Sequence, residues 1–291
     1  MSPSKWIFTI GGIIEVLLLC LLVDVLASKK QQEDVLQPVE TTRPIAESVQ
    51  DAEQQSSWEA VEGSLYGLPI TLNGDQGQII SRKGYTLSYN KWRLIPDWVA
   101  YELTYQETLG QVPREKGFYP DPEVRGDQAT VDDYRHSGWD RGHMAPAGDM
   151  KWSKEAMKES CYFTNICPQN PDLNGGKWRI LEEKCRDLAA EYSQIQIVCG
   201  PIIENAKLGS IGSNHVLIPD AFFKVLLVRQ KDQYEGIGFY FKNEPASQSL
   251  RNYSCTIDEI EQKAGIDFFS RLTDDIENSV ESRYSFSFWD I

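Results

Sequence analysis

The chain has 291 residues, enough for one large domain or two small ones, and its 41% of hydrophobic residues can fill a real core, which excludes wholesale disorder. A formal net charge of −14 counts against a protein that grips nucleic acid through a broad basic face. Residues 1–60 hold 4 basic and 9 acidic residues, which leaves −9 for residues 61–291, so any polyanionic substrate needs a locally positive cleft, a bound divalent cation, or both.

Residues 6–27 (WIFTIGGIIEVLLLCLLVDVLA) are mainly apolar and, at 22 residues, long enough to span a bilayer. Glu15 and Asp24 are unfavourable inside one, and Val25-Leu26-Ala27 puts small or modest residues where a signal peptidase cuts. Residues 1–27 therefore read either as a retained signal-anchor or as a cleaved signal peptide. Both readings make the protein exported, periplasmic or extracellular, with the membrane as a partner where the segment is kept. Residues 28–60 are rich in Gln, Glu, Ser, Thr and Pro and read as a disordered polar linker. Composition becomes globular over residues 61–291.

Within that region Tyr85–Tyr89, Trp98–Leu103, Ile195–Cys199, Ala221–Val228 and Gly236–Phe241 read as strands, being rich in aromatic and β-branched residues. Between them Trp178, Leu181, Cys185, Leu188 and Tyr192 recur at steps of three and four, which predicts a helix over 177–192. A second helix starts near Thr256, where T-I-D-E makes a capping box. Strands on either side of a helical stretch give an α+β fold. The six cysteines contain no C-x-x-C pair, which argues against a zinc ribbon. Disulfides and buried thiols both remain open.

The chemistry concentrates in residues 133–182. Asp140-Arg141-Gly142-His143 brings a cation, a glycine joint and an imidazole together. Arg141 can hold a phosphate through two donors, and His143 has an ordinary pKa near about 6.5, suited to taking a proton from water. A lone histidine is nonetheless more often structural. Asn174-Gly175-Gly176 precedes the predicted helix, so Asn174 reads either as its N-cap or as an oxygen ligand of a hard cation. Glu182 lies about 12 Å further along the helix axis, close enough to reach such an ion through a water. A solvated helix face is the plainer account of Glu182. A zinc site from His136, His143 and His215 fits no metal-ligand spacing.

Together, Asp140-Arg141-Gly142-His143, Asn165-Ile166-Cys167-Pro168-Gln169 and Leu173-Asn174-Gly175-Gly176-Lys177-Trp178 through Leu181-Glu182 resemble the DNA/RNA non-specific endonuclease family, from about Gly84 to Phe269. The resemblance implies central antiparallel sheet with flanking helices and a ββα-metal active-site unit. It implies a Mg²⁺-dependent (or Mn²⁺-dependent) endonuclease that cuts DNA and RNA without sequence preference and leaves 5′-phosphates. It implies His143 as general base, Asn174 as metal ligand, Glu182 as the group orienting a metal-bound water, Arg141 as a phosphate contact and Asn165 as a supporting or substrate contact. Trp178 fits packing better than chemistry. An upstream basic residue is expected before Phe118-Tyr119-Pro120-Asp121-Pro122, with Arg114 preferred over Lys116 because a bidentate arginine suits a phosphate. The alternative is a nucleic-acid-binding or uptake protein without catalysis. No inhibitor partner can be named from the sequence.

Overall fold

The computed structural model describes residues 66–72, 76–231 and 233–291. The expected anchor or signal segment and the polar linker lie outside the described residues. No helix of the described residues is long and apolar enough to cross a membrane.

The strands that build the site and its support are β1 (Gln78–Ser81), β2 (Thr86–Asn90), β3 (Ile95–Thr104), β4 (Asp140–His143), β5 (Ile166–Gln169), β6 (Gln194–Ile202), β7 (Ala221–Gln230), β8 (Gln233–Lys242) and β9 (Ser254–Cys255). Seven of them form one antiparallel sheet in the order β9-β8-β7-β6-β3-β2-β1. β4 and β5 stand apart as a two-stranded ribbon.

Both faces of the large sheet are covered, which explains why β7 reads AFFKVLLV without polar alternation. A short helix α1 (Pro171–Leu173) leads towards helix α2 (Arg179–Tyr192), and on one face Val99, Tyr101, Ile197, Phe222, Leu226 and Phe239 pack against Leu181, Cys185 and Leu188 of α2 and Trp178 just before it. This is the apolar stripe that the sequence spacing predicts. On the other face Trp98, Ala100, Val198, Phe223 and Val225 meet Ile257 and Ile260 of helix α3 (Ile257–Ala264) and Val280 of helix α4 (Asp274–Glu281). Thr256 caps α3 in the expected capping box with Glu259. The architecture is α+β with a central antiparallel sheet, as expected. Each large aliphatic or aromatic side chain so buried contributes about 1.5–3 kcal/mol.

The five cysteines among the described residues are free thiols, four of them buried. In this part of the chain the choice between disulfides and thiols falls to thiols.

Candidate functional site

The β4–β5 ribbon pairs Asp140 with Gln169, Gly142 with Cys167 and His143 with Ile166. Gly142 lies in this strand rather than at a flexible joint. Its requirement is steric, since a Cβ there would fall inside the Gln169 side chain. Pro168 is tolerated because the ribbon has only two strands. Asn243, at the end of β8, fastens the ribbon to the sheet: it donates to Pro168 O at 3.1 Å and accepts from Asn170 N at 2.7 Å.

His143 ends β4 and is buried. Its carbonyl accepts from the Trp178 indole at 3.3 Å, so the packing residue of the helix also pins the histidine backbone. The ring lies 5.4 Å from that of Phe118, and Nε2 faces the Cys161 thiol at 3.8 Å. Burial, with Arg114 and then Arg141 adding positive charge nearby, pushes the imidazole pKa down to about 3. His143 is therefore neutral at physiological pH, with a ring nitrogen able to accept a proton.

After β5 the chain turns into a helix earlier than its apolar spacing predicts. Asn170 is the N-cap, accepting from Asp172 N at 3.0 Å and Leu173 N at 3.2 Å, and Pro171 takes the first helical position. The N-cap reading of Asn174 is thereby replaced. Asn174 opens a widened π turn, Asn174–Trp178, which leads directly into α2. Gly176 sits at φ −103° and ψ −113°, outside helical values. Two successive glycines have little helical preference to resist such a turn, and π turns recur at functional sites. Asn174 Nδ2 donates to Asp140 Oδ2 at 2.9 Å, which leaves its amide oxygen for another partner.

His143, Asn174 and Glu182 line one cleft of about 500 Å³, together with Arg114, Lys151, Arg179, Arg186 and Glu183. Burial pushes the Glu182 carboxyl up to about 7; Lys224 pulls it back and Asp149 adds to the rise. Arg179 pairs with Glu183 one turn along the helix. Arg186 binds buried Asp149 at 2.7 Å, and Asp149 also accepts from the Tyr101 hydroxyl at 3.0 Å. Beneath them Lys224 is fully buried, its ammonium 4.7 Å from the Trp178 ring centroid. Arg114, Lys151, Arg179 and Arg186 make this cleft positive within an acidic protein.

Of the residues expected from the sequence, His143, Asn174, Glu182 and Arg114 come together in the cleft. Lys116 does not line it. Arg141 is exposed on β4 with its guanidinium 4.6 Å from the Phe118 ring centroid, outside the cleft lining. Asn165 is fully buried: its Oδ1 accepts from Ala145 N at 2.9 Å, and its Nδ2 donates to Ala145 O and Ser160 O, both at 2.8 Å. Fully buried and with both amide hydrogens engaged, it supports the turn after His143 and is shielded from a substrate. His136 and His215 are exposed turn residues with positive φ, and neither belongs to a metal-ligand cluster among the described residues.

Sequence reasoning missed Asp140 as the partner of Asn174, and it missed Lys151, Arg179 and Arg186. The last two carried a readable signal, because Arg179, Glu182, Glu183 and Arg186 follow a three-four-seven spacing that puts them on one helix face opposite the apolar stripe. Nothing in the sequence brings Lys151 to them.

Comparison with known proteins bears on the family and the fold. The sequence profile described as DNA/RNA non-specific endonuclease matches residues 68–275. The chain is 37% identical over 226 residues to the mitochondrial nuclease EXOG of Xenopus laevis, covering 72% of this chain and 62% of that protein. It is 34% identical over 225 residues to human mitochondrial endonuclease G, covering 72% of this chain and 74% of that protein. It thus spans less than two thirds of the length of the Xenopus relative. A crystal structure of an EndoG/EndoGI complex, titled for the mechanism of EndoG inhibition, superposes with a TM-score of 0.67 at 27% identity, covering 75% of this chain and 93% of that one.

Proposed function

We propose, because the chain belongs to the DNA/RNA non-specific endonuclease family, that it is a divalent-metal-dependent endonuclease hydrolysing phosphodiester bonds of DNA and RNA without regard to sequence. The observation that carries this reading is the meeting, in one positive cleft, of a neutral buried histidine with an asparagine and a glutamate on the adjoining helix.

The donor set fits a hard cation. The Asn174 amide oxygen is left available by the Asp140 contact, and Glu182 offers a carboxylate to a bound water. When bound, Mg²⁺ (or Mn²⁺ in its place) supplies Lewis-acid stabilisation of charge on the phosphate and the leaving 3′ oxygen. His143 takes the proton of the attacking water. With Nε2 turned to Cys161, Nδ1 is the nitrogen for that task. Arg114 and Arg186 hold the phosphate and offset its negative charge, Arg186 itself being steadied by Asp149. Cleavage of the 3′ oxygen–phosphorus bond leaves the phosphate on the 5′ end, and the departing 3′ oxygen takes a proton from solvent water to become the 3′-hydroxyl. Contacts confined to phosphates carry no base information, which accounts for indifference to sequence. The N-terminal apolar segment supports an exported enzyme, periplasmic or extracellular, tethered to the membrane where that segment is retained.

The test is plasmid nicking by the full-length protein in Mg²⁺ or in EDTA, beside His143→Ala and Asn174→Ala, with chemical identification of the ends. Metal-dependent cutting that both substitutions abolish, leaving 5′-phosphates, is the expected outcome. A folded wild-type protein that binds DNA yet never cuts it, whatever divalent ion is supplied, would overturn the reading in favour of a binding or uptake protein.

A further inference from the structure

We infer that α3 and α4 share a second divalent-cation site, of calcium size, formed by Asp258, Glu261 and Glu281 on the sheet face opposite the cleft. Asp258 and Glu261 are three residues apart and so share one face of α3, and Glu281 is the last residue of α4. One carboxylate oxygen from each lies within 4.8 Å of the other two. Calcium bonds of about 2.3–2.6 Å allow ligand oxygens to stand up to about 5 Å apart, whereas magnesium bonds of about 2.0–2.1 Å allow only about 4.2 Å. A separation of no more than 4.8 Å is within reach of the larger ion.

Glu281 supplies an independent indication. It is only 7% exposed, and its Oε1 is buried without a hydrogen-bond partner. A carboxylate so enclosed is costly unless a cation or donor meets it. The charged groups that act most strongly on it are Glu261, Glu277, Asp258 and Asp267, all acidic. Glu277 lies one turn before it, a repelling pair, and the end of α4 presents the negative pole of the helix. A cation relieves all of these at once. Glu261 Oε1 accepts from Phe268 N at 2.8 Å, which leaves its second oxygen for the ion. Exposed Asp258 leaves an open side where water can complete the shell.

The sheet fixes this geometry. At Gly236 of β8 a Cβ would stand 2.6 Å from Ile257 Cδ1 and 2.7 Å from Val280 O. The glycine lets both helices settle against the strand, so the residues next to Asp258 and Glu281 are held in place. A site of this kind would fasten α3 to α4.

The experiment is thermal unfolding of the EDTA-stripped full-length protein with and without Ca²⁺, together with calorimetric Ca²⁺ titration. Wild type, Asn174→Ala, Glu281→Gln and Glu261→Gln are compared. Calcium at about a hundred times its dissociation constant raises the wild-type Tm by roughly 5–10 °C. Asn174→Ala keeps this shift, because the cleft is not its source. Glu281→Gln and Glu261→Gln lose it, and in EDTA at alkaline pH, where both carboxyls are ionised, neither variant is less stable than wild type, because each removes like-charge repulsion. Absence of a shift in wild type would mean that protons alone quiet the cluster. A shift that survives both Gln substitutions but vanishes in Asn174→Ala would assign it to the cleft. Either result overturns the inference.

Discussion

Replacing Asn165 by Ala separates support from chemistry at this site. The side chain makes three hydrogen bonds, to Ala145 N, Ala145 O and Ser160 O, and all three residues are buried. At about 1 kcal/mol each their loss amounts to about 3 kcal/mol, and leaving the backbone groups without water or partner raises this toward about 5 kcal/mol. The measurement is urea unfolding, in which the midpoint falls while the m-value holds. The Ala145 turn directly follows His143, so the folded variant should also cut more slowly, by ten- to about a hundredfold for a displacement near 1 Å. Asn165→Asp keeps an acceptor for Ala145 N but loses both donors, and should also be strongly destabilised. A loss below 1 kcal/mol in Asn165→Ala, with cutting abolished, would refute this account and return Asn165 to the substrate.

Gly142→Ala forces a methyl group into Gln169 and should cost about 1–3 kcal/mol, read as a lower Tm; an unchanged Tm would show that Gln169 moves aside freely. Arg186→Gln strands the buried Asp149 carboxylate and should destabilise by about 3 kcal/mol, with much of this recovered when Asp149→Asn is added; no recovery would sink the pairing argument. The His143 imidazole, held at about 3, should stay neutral by nitrogen-detected NMR down to about pH 4. Because its folded pKa is depressed, its stability contribution is complete above about 6.5 and is lost as pH falls toward 3, a slope that His143→Asn should lack. Burial pushes Glu261 to about 7 and Glu281 to about 9, with acidic neighbours adding to the rise in both. With folded values raised, their contribution is complete below 4.5 and is lost as pH rises through 7 and 9, so in EDTA Glu261→Gln should overtake wild type as the buffer becomes alkaline.

The helix and the long strands were legible because burial leaves a periodic trace. Trp178, Leu181, Cys185 and Leu188 could sit on one face only if the chain were helical, and β7 is apolar enough to be read as a buried strand. The β4–β5 ribbon left no such trace. Its four-residue strands are DRGH and ICPQ, one polar and one broken by proline, and the long-range pairing of Gly142 with Cys167 has no local signature. The π turn was equally hidden, since glycines ahead of a helical pattern look like a boundary. Asn174 was consequently read against an N-cap that Asn170 in fact supplies. Recognition of His143 and Glu182 rested on the order and spacing of the motif, because neither residue alone outweighs its commoner structural role.

Net charge was the sequence feature most at odds with a nuclease, and the cleft explains why it misled. Arg114 and Lys151 form no ion pair among the described residues. Arg179 and Arg186 are balanced, respectively, by Glu183 and by Asp149, but both still line the cleft. At physiological ionic strength charges are screened over about 8 Å, so acidic residues on distant faces contribute little to the potential near Asn174. The acidic pair Asp258 and Glu261 lies on the opposite face of the sheet, where it does not oppose a phosphate entering beside His143. The quantity that decides whether a polyanion can bind is the charge within one screening length of the reacting phosphate. Among the residues lining the cleft, Arg114, Lys151, Arg179 and Arg186 outnumber Glu182 and Glu183; Asp140, bonded to Asn174, and Asp149, bonded to Arg186, stand behind them, and a cation held at Asn174 would tip the balance towards a phosphate.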